Sequence, residues 1–219
     1  MARKPPRRTA ERILEASLAL FNRFGEPNVA LGAIAAELGI SAGNLHYHFP
    51  AKEGLVNALY ARYEAELGRI LIASDAVRDV EQAWFFLHAL FERVWQYRFL
   101  YRDLNHLLTH NRTLEQHLPA LMAAKAGALR RMLGALQAGG GVAAQDAATL
   151  DTLATHMALL LSYWLSYEYV LDPRRALEPG NAQAALLRGA RHTLGLLMPY
   201  LHERERSHLA QLARAYGDA

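Results

Sequence analysis

Apolar residues recur at three- and four-residue steps along most of the chain, and an alternating strand pattern is almost absent. The helix-length stretches are separated by glycine, proline and asparagine, which commonly end helices or form turns. In the second part of the chain the pattern predicts helices at about 79–98, 100–110, 114–138, 144–171 and 181–214, with a kink in the last at Pro199. We therefore expect an all-α protein.

The first 75 residues carry four helical stretches of unequal length. Helix one begins behind Thr9, a predicted N-cap, and ends at Gly25. A short second helix ends at Gly39, and Ser41 is placed to cap a short third helix. A longer helix then runs from Lys52 to about residue 75. The first three helices predict a compact head.

The segment 31–50 reads LGAIAAELGISAGNLHYHFP and has the pattern of a helix-turn-helix. That motif needs a small residue where its helices cross, a residue that tolerates positive φ at the turn, and an apolar residue that seals the corner. Ala35, Gly39 and Leu45 occupy those places. Many helical hairpins meet the same demands, so this spacing alone is a weak signal of DNA binding.

A stronger signal is the run SAGNLHYHF at 41–49, followed by Lys52. It resembles the recognition helix of the tetracycline-repressor (TetR) family of bacterial transcription regulators. The resemblance covers residues 9 to about 60 and includes a Phe-x-x-x-Gly pattern ending at Gly25 and the pair Ile34-Ala35. Further along, the stretch Tyr-Arg-Asp-Leu at 101–104 looks like a feature of one subgroup.

The resemblance implies a division of the chain into two domains. Residues 1–52 would form an N-terminal three-helix head with the helix-turn-helix and a basic arm. Residues 53–219 would form a larger C-terminal helical domain for ligand binding and dimerisation. A homodimer is implied because one recognition helix reads only a few base pairs, whereas two read a palindromic operator in double-stranded DNA.

The third helix carries side chains that suit DNA contact. In the major groove Asn44 can donate to and accept from adenine, and Gly43 lets the backbone approach a thymine methyl. A tyrosine hydroxyl or a lysine ammonium can bond phosphate oxygens. The resemblance and this chemistry together predict DNA contacts by Arg7, Arg8, Thr9, Ser41, Ala42, Gly43, Asn44, His46, Tyr47, His48 and Lys52.

The sequence departs from the family pattern at two places. His46 stands where a tyrosine is frequent, and Ala30 and Gly32 stand where a capping hydroxyl and a basic residue often begin helix two. We therefore expect few phosphate contacts from helix two. We expect Arg7, Arg8 and Lys52 to carry a larger share of the DNA affinity than usual.

The formal net charge of +3 is small, but it is concentrated at the front of the chain. Residues 1–52 hold seven Lys/Arg and four Asp/Glu, whereas the remainder holds 17 of each. A concentrated positive charge favours contact with a nucleic-acid backbone, because neutralising phosphates releases counterions. Arg3 and Lys4 extend this charge and are candidates for a minor-groove contact.

Twelve of the twenty aromatic residues fall within 84–101 and 163–169. Their concentration favours a pocket for a small, largely apolar or aromatic effector, although the same side chains could simply fill a helical core. Binding of the effector would favour a dimer that no longer fits the operator, so the expected outcome is release of a repressor. The candidate ligand-binding residues are Trp84, His88, Phe91, Trp95, His106, Tyr163, Trp164 and Tyr167.

Other classes of function have less support in the sequence. His106 and His110 lie four residues apart, with Asp103 one turn earlier, so a metal-sensing regulator is one alternative. A helical protein-interaction module that does not bind DNA is another. The chain has no cysteine, no paired carboxylate–histidine set and no phosphate-binding glycine loop, so we expect no enzyme, no catalytic residues and no cofactor.

The basic start of the chain is not followed by an unbroken apolar core, because Glu11 and Arg12 interrupt it. The longest charge-free apolar stretch, between Asp151 and Glu168, is shorter than the roughly 20 residues that span a bilayer. We therefore expect a cytoplasmic protein that does not enter the membrane.

Overall fold

The computed structural model describes residues 6–217 and, within them, the side chains of residues 8–215. The regular elements in that part of the chain are helices. Apart from them there is an isolated β-bridge between Val142 and Leu201, so the expected all-α fold is confirmed. The helices are α1 Pro6–Phe24, α2 Leu31–Leu38, α3 Ala42–His48, α4 Lys52–Ile72, α5 Val80–Gln96, α6 Arg98–Arg102, α7 Leu104–His110, α8 Arg112–Ala138, α9 Ala147–Leu171, α10 Ala182–Gly195 and α11 Glu203–Gly217.

Three predicted helices differ from the structure, and proline is involved in two of the differences. The helix predicted over 100–110 is divided into α6 and α7 at Asp103. α1 begins at Pro6, ahead of the predicted cap at Thr9. Proline suits a first turn because the N–H that it lacks would have no partner there. The single helix predicted over 181–214 is divided into α10 and α11 around Pro199, which cannot continue a regular helix.

The chain forms two compact units. Unit 1 comprises residues 1–64 and 97–117, and unit 2 comprises residues 65–96 and 118–219. Unit 1 thus takes in α6 and α7 as well as the first three helices. The functional boundary predicted after residue 52 stays a prediction.

The core of unit 1 combines aliphatic side chains with an aromatic cluster. The rings of Phe21 and Phe99 lie 5.4 Å apart, so α1 packs on α6. Tyr63 of α4 lies against Tyr97 and Tyr101, at centroid distances of 5.3 and 6.0 Å, and the hydroxyls of Tyr63 and Tyr101 share a hydrogen bond. Burial raises the pKa of Tyr101, which keeps that hydroxyl protonated.

In unit 2, α5, α9 and α10 meet closely at Gly189. A Cβ at this position would lie 2.8 Å from the rings of both Phe91 and Trp164, so a larger residue would force the helices apart. The indole N–H of Trp164 donates to the carbonyl of Ala185 at 2.8 Å. Aromatic side chains and a glycine therefore hold these three helices at short range.

In its second half, α9 has an outer face that is apolar although it is exposed. Its exposed residues follow one another at three- and four-residue steps, as expected for one face of a helix. This α9 stripe consists of Leu159, Tyr163, Tyr167, Val170 and Leu171.

Among residues 6–217 no helix is both long and apolar enough to cross a membrane.

Candidate nucleic-acid interface

α2, a tight turn and α3 form the helix-turn-helix. Gly39 ends α2 in the left-handed conformation, with φ 62°, which glycine adopts without strain. The hydroxyl of Ser41 accepts the N–H of Asn44 at 3.2 Å and so caps α3. Leu45 is fully buried at the corner. These local features were predicted correctly from the sequence.

The rest of α3 presents a polar face to solvent. Asn44 and His46 are exposed, and the side chain of Tyr47 is 79% exposed, which is unusual for an aromatic residue. His48 is half-buried and its ring lies edge-on to that of Tyr47 at 5.2 Å. The exposed members of the predicted DNA-contacting set on this segment are Ser41, Ala42, Gly43, Asn44, His46 and Tyr47.

The ends of the predicted interface are less open. On α1, Arg8 is exposed and Thr9 is half-buried. The side chain of Arg7 and the whole of Arg3 and Lys4 lie outside the described residues. At the start of α2 the N-cap residue, Ala30, provides no side-chain hydrogen bond, and weak phosphate anchoring by this helix stays a prediction.

Lys52 is held by the segment that follows α1. Its ammonium donates to the carbonyl of Glu26 at 3.0 Å and lies 3.0 Å from Oε1 of the same residue. The side chain of Glu26 is buried, whereas that of Lys52 is half-exposed. Contact between Lys52 and a phosphate stays a prediction, and the structure adds a second role for this residue inside the fold.

The same segment is bound by α6 and α7, which we call the α6–α7 corner (residues 98–110). Oδ2 of Asp103 accepts the backbone N–H of Glu26 at 2.8 Å, and Oδ1 of Asn22 accepts that of Phe99 at 3.0 Å. Gly25 has φ 88°, and a Cβ there would lie 2.0 Å from Nη2 of Arg102. These contacts were not predicted from the sequence, in which the Tyr-Arg-Asp-Leu stretch at 101–104 was the only sign of them considered above.

The predicted ligand-binding residues belong to both units, and some of those in unit 2 contact one another, as the rings of Trp164 and Tyr167 do at 5.5 Å. Trp84, Phe91 and Trp164 are buried in unit 2, where the last two pack around Gly189. His88 is half-buried on α5 and lies 3.4 Å from Glu92. Trp95 is half-buried, and Tyr163 and Tyr167 belong to the exposed α9 stripe. His106 is exposed on α7 of unit 1. Their binding of a ligand stays a prediction.

His106 and His110 are not arranged as a chelate. Their rings stack with centroids 4.2 Å apart, and Nδ1 of His110 lies 2.9 Å from the carbonyl oxygen of His106. No group of three or more metal-ligating side chains occurs within the part of the chain that the structure describes. The geometry therefore gives no support to the metal-sensing alternative.

An exposed polar helix in a helix-turn-helix, carried on an all-helical scaffold, is the arrangement of a helix-turn-helix transcription regulator. Two family models agree with this class. Residues 13–59 match a model described as bacterial regulatory proteins of the tetR family. Residues 62–209, more than half of the chain, match the TetR model described as a bacterial transcriptional repressor. The chain belongs to the TetR family, as its sequence predicted.

Individual relatives resemble the chain to different extents. A TetR-family transcriptional regulator from Marinobacter aquaeolei VT8 has 29% sequence identity and a TM-score of 0.84, with 95% of this chain and 98% of that chain covered. A protein from Saccharomonospora viridis, solved in complex with choline, shares the fold at 21% identity and a TM-score of 0.67, over 90% and 99% of the two chains.

A curated relative matches over a shorter region. The HTH-type transcriptional regulator AcrR of Shigella flexneri is 32% identical over 79 residues, which are 35% of this chain and 37% of AcrR. The matched part is thus little more than a third of that relative's length.

Proposed function

We propose that this regulator binds a palindromic operator as a homodimer and represses transcription until a small-molecule effector releases it. The observation that carries the proposal is the capped, exposed helix α3, whose polar face turns outward while Leu45 anchors it. A short helix of this kind is suited to the major groove. The matching family model is described as a transcriptional repressor, which supports repression rather than activation of transcription.

Contacts with bases and with phosphates would come from different side chains. The amide of Asn44 suits adenine, whereas Tyr47 and His48 suit phosphate oxygens. Arg8 and Lys52 would add backbone contacts from α1 and α4. The full proposed set is the one predicted from sequence: Arg7, Arg8, Thr9, Ser41, Ala42, Gly43, Asn44, His46, Tyr47, His48 and Lys52.

A second copy of the chain would cover the α9 stripe. Large apolar side chains that line one exposed helix face commonly mark a protein–protein interface. Tyr163 and Tyr167, which the sequence predicted as ligand-binding residues, are better suited to this role in view of their exposure. Pairing would also present two copies of α3, which a palindromic operator requires.

A small organic effector is supported by the choline complex of the Saccharomonospora viridis protein, whose fold this chain shares. For this chain we propose an effector with a large apolar part, bound within unit 2. We expect no enzymatic activity and a cytoplasmic location.

Selection of bound duplexes from a random DNA library with the full-length protein tests the proposal. We expect enrichment of a palindrome whose half-sites lie about one helical turn apart. Asn44→Ala should cost about 1–3 kcal/mol and relax preference at particular base pairs, because a bidentate base contact is lost. Tyr47→Phe should weaken binding to all DNA sequences alike, by about 2 kcal/mol, because one hydrogen bond to a charged phosphate is lost.

Gln116→Ala, which changes an exposed side chain on α8, is the matched control and should bind as wild type does. Enrichment of no palindrome, or unchanged binding by both α3 variants, would overturn the proposal.

A further inference from the structure

Unit 2 contains an apolar cavity of about 410 Å³ where the end of α4, the turn after it and the start of α5 meet. Ile70 lines it from α4, Ala73 from the turn, and Phe85, Phe86 and Ala89 from α5. Seven of its eight lining residues are apolar, and none of these described residues is charged. Cavities that bind small molecules measure about 300–1,000 Å³ and are mostly apolar with a few polar groups, so both the size and the lining fit a ligand site.

The turn that forms one wall of the cavity is fixed by hydrogen bonds. The guanidinium of Arg78 donates to the carbonyls of Asp75 and Val77 at 2.6 and 3.0 Å. The carboxylate of Asp75 accepts a hydrogen bond from Arg131, on α8, at 2.7 Å. This wall is therefore formed before a ligand arrives, which lowers the entropic cost of binding.

Two phenylalanines of the cavity favour an aromatic ligand. Phe86 is buried, whereas the side chain of Phe85 is 49% exposed. Both belong to the aromatic stretch 84–101 of the sequence. A ligand ring that lies against them gains aromatic contacts in addition to the burial of apolar surface.

Gln82 is the polar residue of the lining. Its Oε1 accepts the backbone N–H of Arg78 at 2.8 Å, and its own backbone N–H donates to Oδ1 of Asp79 at 2.8 Å. The amide is thus held through its oxygen, which leaves its two side-chain N–H groups as donors. A ligand with a hydrogen-bond acceptor matches these donors, whereas an anion would be desolvated without a cation among the lining residues.

The cavity suits a small molecule better than a second protein chain. A stable protein–protein interface takes about 20–30 residues from each side. Eight residues line the cavity, and the α9 stripe, to which the second copy is assigned above, lies on another helix.

We propose that this cavity binds the effector, an uncharged aromatic molecule that carries a hydrogen-bond acceptor such as a ketone oxygen. This inference rests on the proposed function, since it locates the effector site within unit 2 and names the chemical class of the effector. The aromatic ring lies against Phe85 and Phe86, and the acceptor receives a hydrogen bond from the amide of Gln82.

The test compares three probes that share a naphthalene ring and the number of non-hydrogen atoms: 2-acetylnaphthalene, 2-isopropenylnaphthalene and 2-naphthoate. Equilibrium dialysis with the full-length protein gives their dissociation constants. We expect 2-acetylnaphthalene to bind, and 2-naphthoate to bind at least about tenfold more weakly, because its charge loses water without gaining a cationic partner.

Ala73→Leu places a larger side chain at the wall of the cavity. It should weaken 2-acetylnaphthalene at least about tenfold, because the ligand and the leucine compete for the same space. Ala73 is exposed, so the fold should accommodate the change. Ala124→Leu makes the same change at an exposed alanine of α8 and is the matched control, which should bind the probe as wild type does.

Gln82→Glu tests the hydrogen bond without filling the cavity. It keeps an acceptor for the N–H of Arg78 and removes the two amide donors. It should weaken 2-acetylnaphthalene about three- to tenfold, the net contribution of one hydrogen bond, and leave 2-isopropenylnaphthalene unchanged.

The inference is overturned if 2-acetylnaphthalene does not bind, if 2-naphthoate binds equally well, if Ala73→Leu binds the ketone as wild type does, or if Gln82→Glu weakens the ketone no more than the hydrocarbon. Retention of the selected duplex by the wild type is measured in parallel. Absence of DNA binding contradicts the proposed function, whereas intact DNA binding with any of these four results contradicts the present inference alone.

Discussion

The side chain of Lys52 serves the fold and is also proposed to serve DNA binding. Its ammonium contacts both the carbonyl and the carboxylate of Glu26, so part of its hydrogen-bonding capacity is used inside unit 1. The side chain of Lys52 is half-exposed and its ammonium has three N–H groups, so a donor is left for the proposed contact with a phosphate oxygen. Mutation of Lys52 should therefore have two separable effects.

Lys52→Met keeps the alkyl chain and removes the charge. We expect the free energy of unfolding to fall by about 1–3 kcal/mol, because the buried carboxylate of Glu26 loses a cationic partner. The slope of the logarithm of operator affinity against the logarithm of salt concentration should become shallower by about 0.9, the value of one phosphate contact. Urea denaturation and binding assays at several salt concentrations measure the two effects.

Glu26→Gln is the matched control, since it disturbs the ion pair but keeps the lysine charge. It should lower stability without changing the salt slope. A salt slope that is the same in Lys52→Met as in wild type would assign Lys52 to the fold alone.

Lys125, on α8, is fully buried and should make stability depend on pH. Its pKa is about 7 in the folded protein and near the ordinary value of 10.5 in the unfolded chain. Between these pH values the unfolded chain binds a proton that the folded protein does not, so the free energy of unfolding rises with pH, by at most about 1.4 kcal/mol per pH unit. Below the folded pKa this contribution is constant.

Urea denaturation from about pH 7 to pH 9 tests this expectation, with Lys125→Met as the reference in which the group is absent. The stability of wild type should rise relative to that of Lys125→Met across the range. Parallel curves for the two proteins would show that Lys125 keeps an ordinary pKa.

At the scale of elements, the α6–α7 corner fixes the segment that leads into the helix-turn-helix. Asp103 binds the backbone of Glu26, and Arg102 packs over Gly25. These contacts hold the end of α1, and Lys52 at the start of α4 is held by the same segment. The segment that leads into α2 is thus held by Asp103, which lies 77 positions beyond Glu26 along the chain.

Gly25→Ala should weaken unit 1. The backbone at Gly25, with φ 88° and ψ 143°, lies in a region that is essentially restricted to glycine, so alanine should cost about 1–3 kcal/mol in the free energy of unfolding. Gly32→Ala is the control in the same unit, since a Cβ there meets nothing within 4 Å and alanine favours helix by up to about 1 kcal/mol.

Chemical denaturation followed by circular dichroism compares the two alanine variants. Asp103→Ala removes the acceptor of the Glu26 N–H and should lower stability in the same direction as Gly25→Ala. Equal stability of the two glycine variants would contradict a constrained backbone at Gly25.

The sequence predicted the elements that are specified locally. The cap at Ser41, the left-handed turn at Gly39 and the buried Leu45 each depend on a few neighbouring residues, and all three are present. The bond between Asp103 and Glu26 joins residues 77 positions apart, and no helical period encodes such a pairing. The burial of Lys125 was not predicted, because a lysine in an alanine-rich helix is ordinarily a surface residue. Its spacing from Leu121 does, however, fit the buried side of α8.

At the scale of the whole molecule, the α9 stripe is the proposed basis of assembly. A double variant, Tyr163→Glu with Tyr167→Glu, places two charges per chain in the proposed interface and should dissociate the dimer, since buried unpaired charges are costly. Sedimentation equilibrium should show a monomer, and operator affinity should fall because two recognition helices no longer act together.

Phe85→Glu is the matched control, because Phe85 on α5 is 49% exposed and Tyr163 is 46% exposed. It should leave the oligomeric state unchanged. A double variant that stays dimeric but no longer binds the effector would return Tyr163 and Tyr167 to the ligand-binding role predicted from sequence.

The α9 stripe also has a consequence for the lifetime of newly synthesised chains. In the proposed assembly, the stripe of a chain that has not yet paired is open to water, and uncovered apolar surface exposes a protein to aggregation and to cellular quality control. Encounter between two chains slows as copies become scarce, so the unprotected fraction grows. Proteolysis would then remove the largest fraction of the regulator in cells that make little of it. A small decrease in its synthesis would thus be amplified into a larger decrease in its abundance.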